Sequence, residues 1–261
     1  MKAPWLGLLL AAFPLVVRAQ QTTEIPTADP ARPTVSTPAT LPPIGYLQFE
    51  SGFLAAWHAP EVSSQQSLNE VVKMALMSRF QVLAAFEPIA HSRADGVSSN
   101  DAGDIDLGLQ AVVYPGKDAK PTVSLAYLGR AYGGSAPDLD VTSFRNSAQL
   151  LVSADMKGFH YDNNYIFNEV IDGEIHRAVF GQTLSISHPL RGKFGITGEI
   201  WHFTQPFLRG HAVGNLWAVN YNARNNLVFD AGFDRGLTST STHWEIFSGF
   251  TYLLPHKIRF R

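Results

Sequence analysis

Apolar and polar residues alternate along most of the chain after residue 44. The clearest stretch is Gly103 to Tyr114, in which Ile105 and Leu107 share one parity with three further apolar residues. Asp104 and Asp106 share the opposite parity with two further residues, Gly108 and Gln110. Side chains of a β-strand point alternately to opposite faces, so this period of two predicts strands with one apolar and one polar face. We therefore predict an all-β fold.

About twelve segments show this pattern, and the connections between them alternate between short and long. In a membrane-spanning barrel the one polar face of each strand lines the lumen and the other face contacts lipid. In the alternative, a soluble β-sandwich, the outer faces of the sheets are covered with polar residues. The low content of charged residues, 16%, also favours a lipid-facing surface. We predict a membrane-spanning antiparallel up-and-down β-barrel with about 12 strands, near residues 44–57, 67–77, 79–88, 103–114, 121–131, 147–157, 162–171, 176–187, 193–203, 212–222, 226–235 and 242–254.

The N-terminal region divides into two parts before the barrel. Residues 1–19 contain a lysine, an apolar stretch and a small residue, the order of a secretory signal peptide that is cleaved after Ala19. Residues 20–43 are rich in Thr and Pro, which predicts an extended linker, and the barrel then occupies residues 44–261. The predicted location is the bacterial outer membrane. The expected partners are its lipids, the barrel-insertion machinery and a small-molecule solute. At the C-terminus Arg261 follows Phe260, whereas many such barrels end on the aromatic residue.

Charge and composition exclude several classes of function. The net charge of −2 and the absence of a Lys/Arg cluster argue against a nucleic-acid partner. The chain contains no cysteine, so it has neither disulfides nor the acylated cysteine of a lipoprotein. A calcium site at Asp104 and Asp106 would need six to eight oxygen ligands, and we predict no metal and no cofactor.

Six charged residues have the parity of the lumen face, where charge costs less than in contact with lipid. They form either a polar constriction that selects solutes or a structural network that fills a narrow barrel. These candidates for a solute path are Asp104, Asp106, Arg130, Glu199, Asp230 and Asp234.

Other residues suggest weaker sites at the two rims. A lipid-hydrolysing Ser–His pair could form from His202, His211 or His243 with Ser239 or Ser241, although no Gly-x-Ser-x-Gly motif is present. Aromatic residues near strand ends are candidates for interfacial girdles, or they reflect ordinary β-propensity. These are Trp57, Trp201, Trp217, Trp244, Tyr46, Tyr114, Tyr132 and Tyr252.

Several short motifs, in the same order, resemble the outer-membrane family called MetA-pathway of phenol degradation. They are Phe49-Glu50-Ser51-Gly52, Leu76-Met77-Ser78-Arg79-Phe80, the Gly-Asp-x-Asp-x-Gly strand at 103–108, Gly198-Glu199, and Asp-x-Gly-x-Asp-x-Gly-Leu at 230–237. The resemblance covers roughly Ile44 to the C-terminus. It implies a barrel that moves small, aromatic or otherwise hydrophobic molecules.

Three functional hypotheses follow. The leading one is a non-enzymatic outer-membrane channel or transporter in which lumen charges and outer loops select the solute. The second is a plugged structural or surface-interaction barrel without transport, with the Thr/Pro tail exposed to periplasmic partners. The third is a rim lipid hydrolase.

Overall fold

The computed structural model describes residues 26–117, 120–137, 139 and 144–258, which form thirteen β-strands. The predicted signal peptide and the Phe260-Arg261 terminus lie outside these residues. Within them, no helix is long and apolar enough to cross a membrane. The strands are β1 (Leu47–Trp57), β2 (Ser64–Met77), β3 (Phe80–Ala94), β4 (Val97–Asp101), β5 (Ile105–Tyr114), β6 (Thr122–Tyr132), β7 (Asn146–Met156), β8 (Phe159–Asp172), β9 (Ile175–Pro189), β10 (Phe194–Gln205), β11 (Gly210–Arg224), β12 (Leu227–Gly236) and β13 (Trp244–Leu253).

Twelve of these strands close into an antiparallel barrel. Each wall strand pairs with the next in the chain, and β1 pairs with β13 in a register that places Phe49 opposite Tyr252. The short strand β4 pairs only with the end of β3, so β3 also pairs with β5 to continue the wall. The prediction of an up-and-down barrel of about 12 strands is confirmed.

Residues 89–102, which separate two of the predicted segments and were expected to form one of the long connections, are instead largely a β-hairpin. Strand β3 continues to Ala94 and turns back into β4 through Asp95 and Gly96, which have φ values of 49° and 81°. Two central residues with positive φ are the requirement of a type I′ turn, for which Asp-Gly is a preferred sequence. The hairpin therefore extends the wall beyond the point where the barrel closes.

The wall is apolar outside and polar inside. Leu107 and Ile200, which face outward, are 55% and 53% exposed, whereas Gln110 and Asn164, which face inward, are fully buried. A soluble protein shows the reverse arrangement. The closed wall and this inverted polarity exclude the β-sandwich alternative.

The barrel has two different ends. At the end called here the turn end, the chain enters β1 and leaves β13, and short connections join β2 to β3, β5 to β6, β7 to β8, β9 to β10 and β11 to β12. The opposite end, the loop end, carries the β3–β4 hairpin and the longest connection, which follows β6. The connections between β8 and β9 and between β10 and β11, residues 173–174 and 206–209, are short although they lie at the loop end.

The Pro-rich segment before β1 lies inside the barrel. Residues 26–43, called the plug here, contain no helix or strand, and Ser36 and Ala39 are completely buried. The plug starts at the turn end, where the Ala28 N–H donates to the carbonyl of Asn225, and returns to that end before Tyr46. The expectation of a tail exposed to periplasmic partners is therefore wrong for residues 26–43, because the lumen satisfies their backbone polar groups.

Candidate solute path

Glu199 on β10 holds the centre of the plug. Its carboxylate accepts hydrogen bonds from the Val35 N–H at 2.8 Å, from the Ser36 N–H at 2.7 Å and from the Ser36 hydroxyl at 2.5 Å. Ser36 Oγ also lies 2.8 Å from Thr183 Oγ1 on β9. Hydrogen bonds to a charged acceptor are stronger than neutral ones, so Glu199 is a major anchor of the plug.

Two ion pairs fix the plug at the side where the barrel closes. Arg32 of the plug binds Asp230 on β12 at 3.2 Å, and its guanidinium lies directly over Gly52. Any side chain at Gly52 would collide with Arg32, since a Cβ atom there would lie 2.0 Å from Nη1. Lys73 on β2 contacts Glu50 on β1 at 2.6 Å, and Glu50 also accepts the Ala31 and Arg32 N–H groups.

Neutral side chains hold the remainder of the plug. Ser153 Oγ accepts the Ala39 N–H at 2.7 Å, and the Ser124 hydroxyl donates to the Ala39 carbonyl at 2.5 Å. The Gln110 amide donates to the Pro38 carbonyl at 3.0 Å. Burial inside the barrel raises the pKa of the Asp29 carboxyl, while Lys73 and the Thr40 hydroxyl act in the opposite direction. The plug thus crosses the lumen from β1 and β12 to β5–β7.

A chamber of about 260 Å³ lies between the plug and the loop end. Val35 of the plug forms part of its lining, and Pro137 and Leu139 belong to the connection that follows β6. The wall contributes both apolar and acidic groups, so the chamber is amphipathic. These wall residues are Leu54, Gln65, Asn69, Glu87, Trp201, Asp234 and Glu245.

The structure divides the six predicted lumen residues among three places. Glu199 and Asp230 contact the plug, and Asp234 lines the chamber, where its Oδ2 accepts the Trp201 indole N–H at 2.6 Å. Asp104 and Arg130 form an ion pair at 2.9 Å where the pairing of β5 with β6 begins at the loop end. Asp106 lies on the same inward face of β5, and its Oδ1 is buried without a hydrogen-bond partner. The residues therefore do not form one continuous ladder.

Several groups of the path are absent from the sequence prediction. Arg32 lies in the predicted linker, and the sequence does not distinguish Glu50, Lys73, Glu87 and Glu245 from the other polar residues of their strands. The inward orientation of the four strand residues follows from parity with their neighbours, but the contacts of Glu50 with the backbone of the plug do not.

The predicted aromatic girdles are correct only in part. Trp57 and Trp244, at the loop ends of β1 and β13, are 37% and 46% exposed on the outer wall. Trp217 is 50% exposed on the outer wall but lies at the centre of β11. Trp201 is only 2% exposed and faces the chamber, while Tyr46 packs against Ala28 and Leu253. Trp201 has the same parity as Glu199, so its inward orientation agrees with the lumen face and not with a girdle.

The rim residues of the hydrolase hypothesis do not assemble a nucleophile. His202 Nε2 lies 2.9 Å from His211 Nδ1, and Ser241 Oγ contacts Thr238 Oγ1 and the backbone of Val213. Among the residues that the structure describes, neither Ser239 nor Ser241 contacts a histidine through a hydrogen bond, and no group of three His, Asp or Glu residues could hold a metal ion. The geometry gives no support to the hydrolase hypothesis.

Comparison with solved structures agrees with this architecture. An outer-membrane channel from Pseudomonas putida F1 has a TM-score of 0.59 at 12% identity, covering 87% of this chain and all of that one. The NanC porin has a TM-score of 0.56 at 11% identity, covering 80% and 100%, and the KdgM porin 0.53 at 10%, covering 78% and 98%. The chain has the fold of outer-membrane porins and channels. No family model and no curated protein matches the sequence.

Proposed function

We propose that this protein is an outer-membrane channel that admits small, partly apolar solutes through a lumen narrowed by its own plug. The observation that carries the proposal is the chamber at the loop end, which joins apolar and charged groups inside a closed wall. The resemblance to the MetA-pathway of phenol degradation family supports aromatic or hydrophobic solutes. The apolar outer wall supports a position among outer-membrane lipids, where the insertion machinery would place it.

A plugged structural barrel is the second candidate, and the anchoring of the plug favours it. Ser36 and Ala39 are fully buried, and Glu199, Asp230 and Ser153 each contribute contacts to the plug. A plug held in this way would block transport unless it moves.

Single-channel conductance in a planar bilayer separates the two candidates. The refolded chain is compared with a variant that lacks residues 26–43, and each preparation is checked for barrel circular dichroism. We expect small conductance steps from the complete chain and steps several times larger from the variant, because deletion removes the groups that fill the lumen. If conductance steps appear with the variant but not with the complete chain, the plugged structural barrel is favoured. An inserted variant that conducts nothing would overturn the channel proposal.

A further inference from the structure

The chamber carries negative charge on two sides, because Asp234 and Glu245 are directly paired across neighbouring strands and Glu87 lies on another part of the wall. Glu87 comes from β3, Asp234 from β12 and Glu245 from β13, and none of the described lining residues is Lys or Arg. Three basic groups of the described lumen bind carboxylates that do not line the chamber: Arg32 binds Asp230, Lys73 binds Glu50 and Arg130 binds Asp104. A chamber wall of this composition attracts cations and repels anions.

A buried acceptor in the same wall points independently to a ligand that donates hydrogen bonds. Gln65 lines the chamber and is 2% exposed, and its Oε1 has no hydrogen-bond partner. A buried carbonyl oxygen without a donor carries a desolvation penalty, which a donor from a bound molecule would remove.

The remaining lining suits the body of an organic molecule. Leu54, Val35 and Leu139 are apolar, and Trp201 presents an indole whose N–H is already bonded to Asp234. Aromatic rings attract cations as well as apolar groups. A volume of about 260 Å³ accommodates a small molecule and not a long polymer segment.

We propose that the chamber binds small organic ammonium ions that carry an apolar or aromatic body, and that the channel therefore prefers cationic solutes. This inference rests on the proposed function and specifies its substrate class. The ammonium group would lie among Glu87, Asp234 and Glu245 with an N–H directed to Gln65 Oε1, and the apolar body would contact Leu54 and Leu139.

The test uses phenethylammonium and phenylacetate, two probes of similar size and opposite charge. Binding of each to the detergent-solubilised full chain is measured by isothermal titration, together with the reversal potential of the bilayer-inserted channel in a KCl gradient. We expect phenethylammonium to bind at least about tenfold more tightly than phenylacetate, as charge-assisted contacts imply, and the reversal potential to show cation preference. The double variant Glu87→Gln and Glu245→Gln should lose most of both preferences.

Glu169→Gln is the matched control, because Glu169 lies on the outer face of β8, where it accepts hydrogen bonds from Asn146 and His176. This variant should behave as the wild type, and circular dichroism should show an intact barrel for every variant. Equal binding of the two probes, or a preference that survives the double variant, would overturn the inference even if the channel conducts. Selective binding without any conductance would instead contradict the proposed function and leave the chamber assignment intact.

Discussion

At the scale of single residues, Glu199 is the group whose replacement tests how firmly the plug is held. We expect Glu199→Gln to weaken plug docking by roughly 1.5–3 kcal/mol, because a neutral amide replaces an anion that accepts three hydrogen bonds. Hydrogen exchange measured by mass spectrometry should then show the Val35 and Ser36 amides exchanging at least about tenfold faster, since 1.4 kcal/mol corresponds to a factor of ten.

The control for this prediction is Glu169→Gln, which changes the same chemical group on the outer wall. It should leave exchange of the plug amides at the wild-type rate while the barrel strands stay protected in both variants. Plug amides that exchange equally slowly in Glu199→Gln and in the wild type would show that the other anchors, such as Asp230 and Ser153, suffice to hold the plug.

Residue parity in the sequence was sufficient to place individual side chains but not their partners. It assigned Glu199, Asp230 and Asp234 to the inward face, and each is at most 6% exposed. The partner of Glu199 lies 163 residues away in Ser36, within a segment that has no periodic pattern. Contacts over such a separation depend on the closed barrel, so local sequence rules cannot supply them.

At the scale of elements, the plug and strand β9 are close enough to be joined by a disulfide. Ser36 Oγ lies 2.8 Å from Thr183 Oγ1, and the chain contains no natural cysteine that could interfere. Disulfides require Cβ atoms about 3.5–4.5 Å apart, which side chains in such contact approach. If solutes pass when the plug moves, oxidised Ser36→Cys/Thr183→Cys should show conductance several times lower than the same protein after reduction.

A second cysteine pair controls for the chemistry of cross-linking. Ser92→Cys/Ser99→Cys joins β3 to β4, where the two hydroxyls lie 2.9 Å apart, and leaves the plug free. Its conductance should not depend on oxidation. If oxidised and reduced forms of the plug pair conduct equally, solutes pass the plug without displacing it.

Elements differed in how far the sequence could predict them. Alternation of apolar and polar residues locates the twelve wall strands, because an apolar outer face and a polar lumen face repeat with a period of two residues. Alternation does not reveal the β3–β4 hairpin, because its residues are mostly polar on both faces, although Asp95-Gly96 is a recognisable turn sequence. Proline density predicted that the plug lacks strands, but an extended polar segment is equally compatible with the lumen and with water.

At the scale of the whole molecule, the barrel and its plug depend on each other. Inward faces rich in Ser, Gln, Asn and acidic residues would require water in an empty lumen, and the backbone of the plug replaces much of that water with fixed hydrogen bonds. The plug therefore narrows the path through the lumen. The chamber lies between the plug and the loop end. Under the proposed function, selection and restriction of solutes would therefore occur at different depths of the same lumen.

The final prediction concerns the outer wall, on which the membrane assignment depends. Leu109 lies at the centre of β5 and is 41% exposed, between Val82 and Tyr127 of the neighbouring strands. Leu109→Arg should lower the free energy of unfolding in lipid vesicles by about 2–4 kcal/mol, the cost of arginine near the bilayer midplane. Val97→Arg is the control, because Val97 is 71% exposed on the hairpin beyond the closed wall and should change stability by less than about 1 kcal/mol. Equal effects of the two substitutions in urea titrations would mean that β5 does not face lipid, and the polarity of the wall would then need another explanation.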